Sequence, residues 1–124
     1  MEPKKTRPSS GPEAGIKSAI KRYMEHQGWL VIVTHGNAFQ AGLPDLYCAH
    51  QGHGWRWVEV KYAGKYEFTR DQLRLFPLLA EKGIGIWVLA LTMNWSPGEL
   101  EIEYKKLWQP PNYHRYIGHT KKPF

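Results

Sequence analysis

Asp45, Glu59 and Lys61 are the side chains whose types and spacing suit chemistry in this sequence. Asp45 ends the stretch Gly42-Leu43-Pro44-Asp45 at the mouth of an apolar run, and Trp57-Val58-Glu59-Val60-Lys61 follows on the next one. Positions two apart on a pleated strand face the same way, so Glu59 and Lys61 project together while Val58 and Val60 point oppositely. Two carboxylates about 4 Å apart repel by roughly 4 kcal/mol at an effective dielectric near 20. Such a spot calls for a proton on one of them or a cation between them. A hard divalent ion such as Mg²⁺ fits, because it takes oxygen ligands, keeps waters, and is commonly held by one or two carboxylates plus a phosphate. Lys61 would not ligate it; its natural partner is the phosphate or the attacking water.

The elements around these residues must bring them together. Pro12 suits a first helical turn, with Ser10 or Gly11 as cap, and Ile16, Ile20 and Met24 recur at spacings of four until Gly28. Glu13 lies on that core-facing stripe, in the first turn, where an acid also suits the helix dipole. Trp29 to Thr34 is apolar and β-branched, which predicts a strand buried on both faces. A polar loop containing His35 then leads to Asp45.

Asp45 to His50 and Trp55 to Tyr62 read as a hairpin around Gln51-Gly52-His53-Gly54. An even, four-residue loop would set Asp45 against Val60, on the wrong face for Glu59. A shared site therefore demands an odd connection, such as a three-residue loop pairing His50 with Gly54, or a bulge. Thr69-x-x-Gln72 has the form of a capping box, opening a helix to Lys82 with Leu73, Phe76 and Ala80 inward and Pro77 as a kink. Ile84 to Leu91 is a continuous apolar strand, the expected parallel partner of the third. Ser96-Pro97-Gly98-Glu99 reads as a turn. Residues 100–108 fit helix and strand alike, and Tyr113, Tyr116 and Ile117 are expected to dock the tail.

Composition narrows the class. The 124 residues make one domain, with a basic arm at 1–11 expected to be disordered and a basic tail at 119–124. The 17 Lys plus Arg against 11 Asp plus Glu give +6, which favours a polyanionic partner. With no long apolar run and no apolar signal segment, the chain reads as soluble and cytoplasmic, without a membrane partner. The lone Cys48 reads as a core residue.

The order Glu13, Gly42-x-Pro44-Asp45, Glu59-x-Lys61, Gln72 resembles the PD-(D/E)xK nuclease superfamily, and within it the VRR-NUC (virus-type replication-repair nuclease) domain, over about residues 12 to 92. The resemblance implies an α/β, restriction-endonuclease-like αβββαβ core across 12–118, with a mixed four-stranded sheet in the order 1-2-3-4 flanked by helices. It implies an endonuclease dependent on Mg²⁺ or Mn²⁺, with Asp45, Glu59, the Val60 carbonyl and Glu13 at the metal, directly or through water. Lys61 would act on the water or the transition-state charge, and Gln72 would orient substrate or water. Lys17, Lys65, Arg70 and Arg74 are the candidate phosphate contacts. Members of this kind act as homodimers on branched DNA such as four-way junctions, in bacteria or virus-infected cells, with Trp95, Trp108 and Tyr113 as candidate interface residues here. No small-molecule cofactor is expected. The alternatives are a non-catalytic nucleic-acid-binding domain, a partner-dependent nuclease subunit, and a restriction-type enzyme on linear duplex.

Overall fold

The computed structural model describes residues 12–34 and 42–117. Ser10, Gly11, the arm, His35 and the tail lie outside the described residues. The elements run α1 (Pro12–His26), β1 (Leu30–Val33), β2 (Leu46–His50), β3 (Gly54–Tyr62), α2 (Arg70–Glu81), β4 (Ile86–Leu91), α3 (Pro97–Lys105), a 3-10 turn (Lys106–Trp108) and α4 (Tyr113–Ile117). The strands form one sheet in the order β1-β2-β3-β4, antiparallel for the first two pairs and parallel for β3 with β4. This is the expected αβββαβ core. No helix among the described residues is long and apolar enough to cross a membrane.

Alternation along the strands gives the sheet two apolar faces. Val31, Leu46, Cys48, Val58, Val60, Leu89 and Leu91 meet Ile16, Ile20 and Met24 of α1 and Leu100, Tyr104 and Leu107 beyond β4. On the other face, Ile86 and Val88 pack with Phe68 and with Phe76 of α2, and Tyr113, Tyr116 and Ile117 of α4 dock there. Cys48 is a buried core thiol, its pKa pushed up to about 12 by burial. The outer edge of β4 is sealed by side chains: Val88 N–H donates to Asn112 Oδ1 at 2.6 Å and Ala90 N–H to Glu103 Oε1 at 2.9 Å. Capping the edge in this way removes it as a template for another strand.

Three expectations are corrected. β1 is not buried on both faces: Leu30 is 62 % and Ile32 47 % exposed, because β1 is a sheet edge and α2 does not reach over it. Ser96 to Glu99 is not a free turn but a capping box that starts α3, and it settles residues 97–105 as helix. Ala80 is exposed, and Leu79 packs against the second cluster in its place. Of the interface candidates, Trp95 and Tyr113 pack against the core clusters, and Trp108 is exposed and stacks on His53 with ring centroids 4.2 Å apart.

Candidate active site

The hairpin fixes the site. His50 pairs with Gly54 across three loop residues, Gly54 taking φ +85°, and this register runs through Leu46 opposite Val58. The next step of the same register brings Asp45 opposite Glu59, on the face shared with Lys61. Thr34 anchors the approach, its N–H donating to the Asp45 carbonyl at 2.9 Å.

Because β2 begins only at Leu46, opposite Val58, the backbone of β3 beyond Val58 has no strand on that side. Acidic side chains take its place. Val60 N–H donates to Asp45 Oδ2 at 2.9 Å, and Tyr62 N–H donates to Glu13 Oε2 at 3.3 Å. A strand residue directs its N–H and C=O to the same neighbour, so the Val60 carbonyl points to the Asp45 side as well.

Glu59 is 2 % and Lys61 4 % exposed. Asp45 N–H donates to Glu59 Oε1 at 3.1 Å, and Gln72 Nε2 donates to Glu59 Oε2 at 2.7 Å. Lys61 Nζ lies 3.2 Å from Glu59 Oε2, 2.7 Å from the Glu67 carbonyl and 3.4 Å from Gln72 Oε1, above the Phe68 ring. An ammonium has three hydrogens, and these three acceptors engage them all. Burial first, then the charge of Asp45, raises the Glu59 pKa to about 8 against the opposing pull of Lys61 and Gln72.

A solved structure described as "VRR_NUC domain" matches this arrangement of elements with a TM-score of 0.57, covering 81% of this chain and 98% of that one at 20% identity. The chain has the fold of a VRR_NUC domain. Neither a family model nor a curated protein matches its sequence.

Within the VRR_NUC fold, the donor set at Asp45 and Glu59 fits a hard divalent ion. Asp45 and Glu59 are tied together with the Val60 carbonyl directed to the Asp45 side, each carboxylate oxygen retains acceptor capacity beyond its present contacts, and the Asp45 charge that adds to burial in raising the Glu59 pKa is what a cation would offset. Among the described residues no three His, Cys, Asp or Glu side chains come close enough to share an ion. Glu13 of α1, which accepts from Tyr62 N–H two residues beyond Val60 on β3, is therefore not grouped with Asp45 and Glu59.

Gln72 closes the expected capping box and also reaches the Glu59 carboxylate. Its Oε1 accepts from Thr69 N–H to close the capping box while its Nε2 holds Glu59. Lys17, one helical turn after Glu13, reaches Asp45 Oδ1 at 3.7 Å and is the one phosphate candidate brought to the carboxylates. Arg74 pairs with Asp71 at 3.8 Å on the exposed side of α2, and Lys65 and Arg70 are exposed. Sequence reasoning missed the Glu67 carbonyl and the Phe68 ring as the seat of Lys61. The apolar Phe68 between Glu67 and Thr69 was the available signal.

Proposed function

We propose that this chain is a metal-dependent DNA endonuclease of the PD-(D/E)xK type. One observation carries the reading: an aspartate and a buried glutamate converge beside a buried lysine at the end of β3, in a VRR_NUC fold. Asp45, Glu59 and the Val60 carbonyl would hold Mg²⁺ or Mn²⁺, with Glu13 engaged through water. The bound ion would supply a water of lowered pKa and neutralise charge on the scissile phosphate. Lys61 holds Glu59 and the 67–69 segment in place, and Gln72 fixes the other side of the Glu59 carboxylate. Lys17, a quarter exposed and with only a long contact to Asp45, is the cation able to turn to a phosphate.

The preferred substrate in this reading is branched DNA, such as a four-way junction, cut by a homodimer with two related sites. A second reading has one specific support. Each oxygen of Asp45 and Glu59 already faces a donor, as in a purely structural ion-pair network on a nucleic-acid-binding domain.

Cleavage of matched labelled four-way junction, flap, single-strand and linear duplex substrates decides between them. The nuclease reading expects cutting with Mg²⁺ or Mn²⁺ that stops in chelator, with the junction cut fastest. DNA binding that is unaffected by chelator, with no substrate cut, would establish the binding-domain reading. Cutting of linear duplex at fixed sequences would make it a restriction-type enzyme.

A further inference from the structure

The sheet face that carries Glu59 continues away from the site as an apolar surface, open at Leu30, Ile32 and Trp55 and half-buried at Tyr47 and Trp57, with Trp57 packed against the second cluster. Pairing sets Ile32, Tyr47 and Trp57 in one rung and Leu30, Ala49 and Trp55 in the next. Leu46 and Val58 face the opposite side, so the rung adjoining Ile32–Tyr47–Trp57 on this face is Asp45 with Glu59. Trp55 is 52 % exposed, and the Tyr47 ring lies 5.5 Å from Trp55 and 4.9 Å from Trp57 between centroids. Trp55 and Trp57 line an open cleft of about 140 Å³ together with Gly83, Ile84 and Gly85 of the α2–β4 turn.

Three features say what this surface can take. Rungs two residues apart along β3 are about 6.7 Å apart, which places aromatic rings at successive short steps from the carboxylates. None of the six side chains is charged, although the chain carries +6, so the face offers nothing to a row of phosphates. A duplex presents phosphates outward and keeps its bases stacked inside. An unpaired base, in contrast, has a free π-face that stacks on an exposed indole or phenol whatever its sequence. A second copy of this chain seated on the same rungs would lie against Asp45 and Glu59 and shut substrate out.

We propose that Tyr47, Trp55 and Trp57 form a stacking platform for unpaired bases beside the scissile phosphate, so that the substrate has single-stranded character next to the cut. The inference rests on the nuclease reading for what brings the strand to this face.

The test is equilibrium binding in chelator, where nothing is cut, of labelled oligo(dT) and of a blunt duplex to the full chain and to Trp55→Ala. The expected result is oligo(dT) affinity lowered about tenfold in the variant with duplex affinity unchanged, and recovery in Trp55→Phe. Unchanged oligo(dT) affinity overturns the proposal, as does an equal loss for both ligands. A dimeric wild type that Trp55→Ala converts to monomer, with oligo(dT) binding intact, overturns it too and gives the face to a second copy. Should Trp55→Ala fail to fold, tryptophan emission of the unaltered protein decides: quenching by oligo(dT) supports the platform and its absence overturns it. The two readings fail separately. Metal-dependent cutting with unchanged oligo(dT) binding in Trp55→Ala removes only the platform, whereas a binding loss in that variant without any cutting by wild type removes only the nuclease.

Discussion

Asp45 and Glu59 are tied to each other through the main chain: the Asp45 N–H donates to the Glu59 carboxylate while the Asp45 carboxylate accepts from Val60 N–H, one residue on. Neither acid is positioned by a flexible side-chain contact alone. The ordering of β2 against β3 orders the two carboxylates, so the site exists as soon as the hairpin does.

Lys61 is predicted to be a stability residue as well as a site residue. Above about pH 8, where Glu59 is ionised, removing Lys61 from this buried pair leaves the carboxylate uncompensated, at about 3–5 kcal/mol. Chemical denaturation of Lys61→Ala at such pH should show a loss of that order, and the loss should shrink clearly when Glu59→Gln is present as well. Equal losses in both backgrounds would mean that the 3.2 Å contact between Lys61 and Glu59 contributes nothing.

The raised pKa of Glu59 sets a pH dependence for the metal-free protein. Its folded value of about 8 lies above the usual 4.5, so the folded chain retains a proton that the unfolded chain releases. Its contribution is therefore complete below about pH 4.5 and falls as pH rises towards 8, by up to about 1.4 kcal/mol per pH unit. Thermal melts in chelator across pH 5 to 8 should show this decline in the wild type relative to Glu59→Gln. Parallel pH profiles would contradict it.

Gln72 separates capping from site geometry. Thr69→Ala breaks only the cap and should cost about 1 kcal/mol while leaving DNA cleavage nearly intact. Gln72→Glu keeps an acceptor for the Thr69 N–H but puts a third carboxylate against Glu59, in place of the donor now 2.7 Å away. Cleavage rates should fall far more in Gln72→Glu than in Thr69→Ala. The reverse order would reduce Gln72 to a helix cap.

Lys17 should matter for DNA and little for folding. Its contact with Asp45 is 3.7 Å long and partly solvated, so Lys17→Ala should change stability by less than about 1 kcal/mol. The salt dependence of DNA binding should drop by about one phosphate contact in the same variant. An unchanged salt slope would leave Lys17 as a counter-charge only.

The sequence made the site legible through parity: Glu59-x-Lys61 on one face, and the demand for an odd hairpin loop, which His50 opposite Gly54 meets. Thr69 and Gln72 were legible because a capping box is local. Burial of β1 was not, because Leu30 and Ile32 have the composition of a core strand, and only the position of α2 over β3 and β4 leaves them open. Residues 100–108 were ambiguous because Leu100, Ile102 and Tyr104 match a period of two while Leu100, Tyr104 and Leu107 match a helical one; Ile102 proves exposed. The contact of Glu13 with Tyr62 N–H depends on where β2 begins, a tertiary fact with no local signal.

The most direct test of the central claim is equilibrium Mn²⁺ binding, followed calorimetrically without DNA, in wild type, Asp45→Asn and Glu59→Gln. The prediction is one ion per chain in the wild type, with affinity reduced by at least tenfold in each variant while both remain folded. A wild type that binds no ion, or variants that bind it as well as wild type, would contradict a metal site at Asp45 and Glu59.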